Sequence, residues 1–255
     1  MNDCGQPVHH PARSPDSAIG FGARILVVDD LPVNCRARSV GMRVARFSAG
    51  SSLSSIVCEH PIQGEILFVW LNGGFGAGKT SIAKELVAAD PQHWRLFDPE
   101  FVGFMLRAQF PDVEVDDFQD LPSWRRLVPF VADDIATETG QNLVIVQTVL
   151  NHRYWTEIAN GIAELEYSLR HVLVDVSPKT LRQRISEDEV LYRAASWRLQ
   201  QVPTYINARS DWLADTADLV IDANSLSPRR AAGEIIEAIE RWTEGDTPEV
   251  WEHRP

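Results

Sequence analysis

The sequence has few cysteines and no long hydrophobic run, and both shortages limit the kinds of protein it can be. The three cysteines (Cys4, Cys35 and Cys58) lie in the first quarter of the 255 residues, without a CxxC pair. A disulfide framework or a zinc module is therefore not expected, and a reducing cytoplasm is the expected location. No stretch approaches the roughly 18 apolar residues of a membrane-spanning helix, and the N-terminus lacks the pattern of an export signal.

Basic charge is also scarce. Lys and Arg number 24 against 36 Asp and Glu, which gives a formal net charge of −12, and lysine occurs only at positions 79, 84 and 179. This balance argues against a protein that binds nucleic acid independently of sequence, because such a protein needs a basic surface. Apolar residues make up 44 % of the chain, which is enough for a sizeable core in one large domain or two small ones.

Residues 1–64 differ in composition from the rest, and we expect them to form a poorly ordered N-terminal extension. Within them, residues 25–34 (ILVVDDLPVN) resemble the first strand and acidic pair of response-regulator receiver domains. A receiver also requires a later acceptor Asp and a Lys, and residues 31–64 contain neither. The absence favours an extension without receiver function, followed by a globular domain over residues 65–242 and a frayed tail over residues 243–255.

Five short apolar runs after residue 65 predict the strands of a parallel sheet. They are rich in Val, Ile and aromatic residues, as buried parallel strands are. The runs are 66–71, 94–97, 143–146, 172–174 and 219–221. Because longer segments with helical spacing separate them, we predict a three-layer α/β fold in which a five-stranded parallel sheet carries helices on both faces.

The sequence also predicts the buried face of one helix and the first residues of three helices. Between the third and fourth runs, apolar residues recur every three or four positions and predict one buried stripe: Trp155, Ile158, Ile162, Leu165 and Leu169. Three runs are followed by a capping residue and a proline, at Asp98-Pro99, Ser177-Pro178 and Ser227-Pro228. Proline suits the first helical position because its missing N–H would have no partner there. We therefore expect helices to start at these three prolines.

The most specific motif is GGFGAGKT at residues 73–80, which matches the phosphate-binding pattern GxxxxGK[ST] at every fixed position. Glycines allow backbone N–H groups to surround a phosphate, and the start of a helix adds further donors. Lys79 is expected to bind the β- and γ-phosphates, and the Thr80 hydroxyl is expected to bind Mg²⁺. The predicted nucleotide site consists of Gly73, Gly74, Phe75, Gly76, Ala77, Gly78, Lys79, Thr80 and Ser81. ATP is the expected nucleotide, because the sequence contains no Asn-Lys-x-Asp guanine signature.

The ends of the other predicted strands help to separate the classes of P-loop protein. In motor ATPases an acidic residue ends the strand that supplies a second magnesium contact, but here the third run is followed by Gln147 and Thr148. Asp175 follows the fourth run, and the Ser-Pro pair after it favours a structural role. Asp98 follows the second run, at the edge where ligands bind such sheets. We predict that Asp98 activates a substrate hydroxyl or holds Mg²⁺, although Asp98-Pro99 also fits a simple helix cap.

A second block of residues gives the domain a family resemblance. The residues in question are Leu71–Ser81, Asp98-Pro99-Glu100, Gly103, Phe104, Leu106, Arg107, Pro111, Asp117-Phe118-Gln119, Pro122, Trp124 and Arg125. Over about residues 65–238 the chain resembles the tunicamycin-resistance ATP-binding proteins, small P-loop kinases near chloramphenicol phosphotransferase and shikimate kinase. The resemblance implies an ATP-binding protein that confers resistance by sequestering or modifying a nucleoside antibiotic. Residues 1–64 have no counterpart and residues 187–209 are only loosely similar, so the resemblance does not identify the substrate.

The second block and the segment 187–209 supply candidates for substrate and phosphate binding. Arg107 and Arg125 are predicted to bind substrate through their guanidinium groups, and Trp124 by stacking on a flat ring. A surface arginine or a core tryptophan is the alternative at each position. In the resembling kinases, lid arginines close over the phosphates, which makes Arg193 and Arg198 catalytic candidates.

Two main functions remain open at this point. The first is a small-molecule phosphotransferase that uses MgATP, with Asp98 activating the acceptor hydroxyl and the arginines flanking the phosphates. The second is an ATP-dependent binding protein that sequesters an antibiotic without chemistry, which the missing carboxylate at Gln147 supports. A regulatory function based on the receiver-like segment is a third. The expected partner is a small molecule, not nucleic acid or a membrane.

Overall fold

The computed structural model describes residues 66–245, with side chains up to residue 243. The predictions for residues 1–64, and for the tail beyond residue 245, lie outside the described residues. Within residues 66–245, no helix combines the length and the apolar character needed to cross a membrane.

A parallel sheet of five strands lies at the centre of the described domain. The strands are β1 (Leu67–Asn72), β2 (Trp94–Phe97), β3 (Asn142–Val146), β4 (Ser168–Asp175) and β5 (Leu219–Asp222). Their order across the sheet is β2-β3-β1-β4-β5, and every neighbouring pair is parallel. Each strand overlaps a predicted apolar run, although β4 begins four residues before its run, and the three-layer fold predicted from the sequence is confirmed. All six residues of β1 are buried because this strand occupies the middle of the sheet.

Helices connect the strands and cover the sheet. They are α1 (Lys79–Ala89), α2 (Glu100–Gln109), α3 (Pro122–Thr139), α4 (His152–Glu164), α5 (Pro178–Ser186), α6 (Ala195–Ala208), α7 (Ala214–Thr216) and α8 (Pro228–Gly245). α1 packs against α8 in one helical layer, and α3 packs against α4 in another. The last helix includes residues 243–245, the first three residues of the predicted tail.

Two of the three predicted helix starts are found at their prolines. α5 begins at Pro178, and the Ser177 hydroxyl accepts a hydrogen bond from the Thr180 N–H. α8 begins at Pro228. The third start was predicted one residue too early, since α2 begins at Glu100 with Pro99 before it. The turn forms there because the Asp98 carboxylate accepts the Glu100 N–H at 3.0 Å.

The predicted apolar stripe of α4 was too long. Trp155, Ile158 and Ile162 are buried as expected, but the helix ends at Glu164. Glu166 then adopts a φ of 62°, which breaks the helical course. Leu169 consequently belongs to β4 and not to the helix.

The lid candidate at residues 187–209 consists of two different parts. The first part is a loop that leads into a short 3₁₀ turn at Tyr192–Ala194. The second part is the packed helix α6, which buries Val202 and Tyr205. Only the first part therefore has the exposed, irregular character of a lid.

Candidate functional site

The loop between β1 and α1 has the backbone geometry of a phosphate cradle. Gly73, Gly76 and Gly78 have φ values of 142°, 82° and 95°, a region that favours glycine. A Cβ atom on Gly73 would lie 2.4 Å from the Val174 carbonyl oxygen, so the loop approaches β4 closely. A Cβ atom on Gly78 would meet nothing within 4 Å, and this residue lines a large cavity. The turn can therefore present its backbone N–H groups to that cavity.

Lys79 is buried, and the loop itself holds its ammonium group. Its Nζ donates to the carbonyl oxygens of Gly73 and Gly74, each at 3.0 Å, and to Thr148 Oγ1 at 2.7 Å. Thr148 Oγ1 in turn donates to the Gly73 carbonyl at 2.8 Å. Burial lowers the pKa of Lys79 to about 7, against the smaller opposing effect of the nearby Glu100 carboxylate. The ammonium is thus placed at the cavity without a carboxylate partner in hydrogen-bonding contact.

The cavity above the loop has a volume of about 970 Å³ and is lined by groups of both charges. Thr80 and Ser81 are exposed and belong to its lining. The cations in its wall are Lys79, Arg107, Arg184 and Arg198, and the carboxyl groups are Asp98, Glu100, Asp116, Asp117 and Asp188. This size is in the usual range for a small-molecule or cofactor site.

Asp98 and Glu100 bring two carboxyl groups to the same side of the cavity at the start of α2. Burial raises the pKa of Asp98, although the hydrogen bond from the Glu100 N–H opposes it. Burial also raises the pKa of Glu100, and the neighbouring Asp98 charge adds to the effect. Both groups are therefore better proton acceptors than ordinary surface carboxylates.

The residues predicted to bind Mg²⁺ carry oxygen donors, the ligands that this ion prefers, and their role stays a prediction. Thr80 and Asp98 line the same cavity. Among the described residues, no group of three or more His, Cys, Asp or Glu side chains is arranged to hold a metal. Mg²⁺ in kinases does not need such a cage, because waters and substrate phosphates supply most of its ligands.

The two predicted lid arginines lie in different surroundings. Arg198 is buried and lines the cavity, where its guanidinium donates to Asp188 Oδ2 at 2.8 Å. Its Nε atom is buried and has no hydrogen-bond partner among the described residues. Arg193 is exposed, donates to the hydroxyl of Tyr192, and does not line the cavity.

Of the three predicted substrate residues, the structure brings only Arg107 to the cavity. Arg107 is exposed there, with one guanidinium N–H directed at the Asp116 carbonyl at 3.3 Å. Trp124 is completely buried, and its indole N–H donates to the Pro99 carbonyl at 3.0 Å. The structure places this tryptophan in the core, where it ties α3 to the start of α2.

Arg125 is also buried and lies behind the cavity wall. Its guanidinium donates to the Glu157 carboxylate and to the Gln119 carbonyl. It also stacks over the Tyr154 ring, with 4.1 Å between the guanidinium carbon and the ring centroid. Arg125 therefore fixes residues that line a cavity without lining one itself.

Asp175 has the structural role that its sequence context favoured. Its carboxylate accepts hydrogen bonds from the Arg209 guanidinium at 2.6 to 2.9 Å and from the Tyr205 hydroxyl at 2.6 Å. Burial raises the pKa of this carboxyl group, but the hydrogen bonds from Arg209 and Tyr205 outweigh burial and lower it. These contacts join β4 to α6.

Several residues of the site were not predicted from the sequence. From the sequence, Thr148 shows only that no carboxylate follows the third strand, whereas in the structure its hydroxyl binds Lys79. Glu100 stands two positions after Asp98, and this spacing on a helix start was an available signal. Arg184 donates to the Ala77 and Ala223 carbonyls at 3.2 and 2.9 Å, which links the P-loop to the loop after β5. No sequence pattern distinguishes Arg184 from its neighbours.

Comparisons with known proteins agree with this fold. Residues 68–194, just under half of the chain, match the family model of an AAA domain. A search among curated proteins found no match.

Solved structures give a closer description. The tunicamycin resistance protein of Deinococcus radiodurans is similar over 68 % of this chain and 95 % of its own, with 22 % identity and a TM-score of 0.54. A sugar kinase of Janibacter sp. is similar over 69 % and 95 %, with 17 % identity and a TM-score of 0.51. A shikimate kinase of Acinetobacter baumannii shows a weaker likeness, with 16 % identity over 71 % and 96 % and a TM-score of 0.47. The resemblance to tunicamycin-resistance proteins and small kinases is thus confirmed at the level of the fold.

Proposed function

We propose that the protein is an ATP-dependent phosphotransferase that acts on a hydroxyl group of a nucleoside antibiotic or a related metabolite. The observation that carries the proposal is a single cavity in which the P-loop, with Lys79 and Thr80, is joined by the carboxyl groups of Asp98 and Glu100. Enzymes catalyse phosphoryl transfer almost entirely by positioning and charge stabilisation, and this cavity has groups for both. The substrate class is suggested by the fold's likeness to a tunicamycin resistance protein.

The proposed reaction uses the described residues as follows. The P-loop amides and Lys79 bind the β- and γ-phosphates, and Thr80 would hold Mg²⁺, which would neutralise phosphate charge, while Asp98 serves as the proton acceptor. The acceptor hydroxyl oxygen attacks the γ-phosphorus while its proton passes to the Asp98 carboxylate. The bond between the γ-phosphorus and its bridging oxygen breaks, and that oxygen leaves with the electron pair on ADP. Arg198 stabilises the charge on the transferred group.

Sequestration without chemistry is the second candidate. The specific observation in its favour is that Gln147 and Thr148, and not a carboxylate, follow β3, and that Thr148 binds Lys79. In this case ATP would alter the affinity for the antibiotic, and the antibiotic would keep its mass.

Mass spectrometry of tunicamycin incubated with the protein and MgATP separates the two candidates. The phosphotransferase proposal expects the drug to gain one phosphoryl group. Asp98→Asn is expected to reduce the transfer rate by about 10²-fold or more, the usual contribution of a general base, while ATP affinity stays close to that of the unmodified protein. Glu100→Gln tests the adjacent carboxylate in the same way.

Asp112→Asn is the matched control. This substitution removes the same charge as Asp98→Asn, but Asp112 is exposed and does not line the cavity. Full transfer activity in Asp98→Asn would show that Asp98 serves only as a helix cap and not as the general base. An unchanged drug mass together with ATP-dependent drug binding would favour sequestration.

A further inference from the structure

A second, smaller cavity adjoins the one that contains the P-loop. Its volume is about 360 Å³, and the two cavities share six wall residues: Phe75, Asp116, Asp117, Gln119, Thr148 and Trp197. A compound in the smaller cavity would therefore be next to a nucleotide held by the P-loop. Its size is at the low end of the range for small-molecule sites, which suits one or two rings.

The cations are confined to the larger cavity, whereas the carboxyl groups of Asp116 and Asp117 line both cavities. All four cations of the larger cavity are absent from the smaller one, whose lining contains Asp116, Asp117 and Asp120 but no Lys or Arg. Arg107, which lines only the larger cavity, is engaged with the Asp116 main-chain oxygen. Phosphate groups are therefore favoured beside the P-loop and disfavoured in the smaller cavity.

Aromatic rings in fixed positions form another part of the smaller cavity. The Phe75 and Trp197 rings pack edge to face with centroids 5.0 Å apart. Tyr154 is held by its hydroxyl, which donates to Asp120 at 3.0 Å, and by Arg125 stacked on its ring. Rings held in this way favour a flat or ring-shaped ligand.

Gln119 contributes an acceptor that the described part of the chain leaves without a donor. This side chain is only 6 % exposed, and its Nε2 donates to the Thr148 carbonyl at 2.8 Å. Among the described residues, no group donates a hydrogen bond to its Oε1 atom. An amide oxygen that lines a cavity is well placed to accept a hydrogen bond from a ligand hydroxyl or amine.

We propose that the smaller cavity binds the body of the acceptor, and that the acceptor is an uncharged or cationic ring compound rich in hydroxyl or amine donors. Carboxylate, sulfate and phosphate acceptors are selected against. This inference rests on the proposed function, because it assumes that the larger cavity holds the nucleotide.

Calorimetry with three matched nucleosides, in the presence of MgADP, tests the inference. The probes are uridine, aminodeoxyuridine and uridine carboxylate, in which the terminal hydroxymethyl group of the ribose is kept, replaced by aminomethyl, or oxidised to a carboxylate. We expect the carboxylate to bind at least about tenfold more weakly than the amine, since like charges placed together are strongly unfavourable. Asp116→Asn should reduce the ratio between the affinities for the amine and the carboxylate by about fivefold. The Asp116 carboxylate makes no hydrogen bond within the described residues, so the substitution breaks none. Asp112→Asn should leave the ratio unchanged.

The outcomes separate this inference from the proposed function. Equal or tighter binding of the carboxylate, or failure of all three probes to bind, would overturn the inference even where MgADP binds normally. Absence of MgADP binding would instead contradict the proposed function. In that case, weaker binding of the carboxylate than of the amine, measured without nucleotide, would still support the selectivity of the smaller cavity.

Discussion

At the scale of single residues, the burial of Lys79 makes nucleotide binding dependent on pH. Burial lowers its pKa to about 7 in the nucleotide-free protein. A bound triphosphate would stabilise the ammonium form and raise this pKa again. Binding at a pH above 7 should therefore take up a proton, and the affinity for ATP should fall as the pH rises further.

Calorimetry of MgATP binding at about pH 8, in buffers with different heats of ionisation, measures this uptake. We expect it to approach one proton per site. Lys84→Met is the control because Lys84 is an exposed lysine of the same helix, and it should show the same uptake. Binding without any proton uptake would mean that Lys79 is already fully protonated before the nucleotide arrives.

At the scale of elements, the wall of the larger cavity depends on close packing between α2 and the 3₁₀ turn Phe118–Asp120. Hydrogen bonds at its start fix this turn: the Asp117 carboxylate accepts the Gln119 N–H at 3.0 Å, and the Asp120 carboxylate accepts the Asp117 N–H at 3.4 Å. Gly103 allows the approach, since a Cβ atom there would lie 2.5 Å from the Phe118 ring. The position of Phe118 in the cavity wall is therefore set by a glycine on the neighbouring helix.

Gly103→Ala should lower the free energy of unfolding by about 1 to 2 kcal/mol, because the overpacking cost exceeds the gain in helix propensity. Gly233→Ala, in α8, is the matched control: a Cβ atom there meets nothing within 4 Å. That variant should be more stable by about 0.5 to 1 kcal/mol. Urea unfolding of both variants measures the difference, and equal stability would show that Phe118 can move away without cost.

At the scale of the whole molecule, a set of stacked rings connects the sheet to the surrounding helices. The buried His171 of β4 stacks on Trp155 of α4 with centroids 4.2 Å apart, and Trp212 packs beside both. Burial lowers the pKa of His171 to about 4, and its Nε2 has no hydrogen-bond partner in the described part of the chain. Protonation of His171 consequently destabilises the native packing.

The stability of the domain should therefore decrease on acidification. Because the unfolded chain binds a proton at His171 near pH 6.5 and the folded protein only near pH 4, the free energy of unfolding falls across that interval. The full loss is about 3 kcal/mol. His171→Phe keeps a ring in the stack and should flatten this dependence, whereas the exposed His93→Gln should not. If the free energy of unfolding of His171→Phe and of the unmodified protein changed with pH in the same way, His171 would not be the source of the pH dependence.

The sequence by itself determined the layers of the fold and the phosphate cradle. Apolar runs of strand length separated by helical segments predicted the five parallel strands, and the glycines at 73, 76 and 78 predicted the turn. These features are local: a buried strand needs continuous apolar residues, and a tight turn with positive φ needs glycine. The prediction failed where no local signal marked a boundary: the apolar stripe of α4 was predicted to continue through Leu165 to Leu169, although the helix ends at Glu164.

Only the tertiary structure decided which polar residues share the site. Trp124 and Arg125 are adjacent to a functional segment in sequence, yet both are directed into the interior and support the cavity wall from behind. Thr148 follows β3, whereas Gln119 lies in a 3₁₀ turn and Arg184 in α5, and tertiary packing brings the three together around the P-loop. A side chain's direction and its distant neighbours depend on how helices pack on that sheet, and this packing leaves no short-range pattern along the chain.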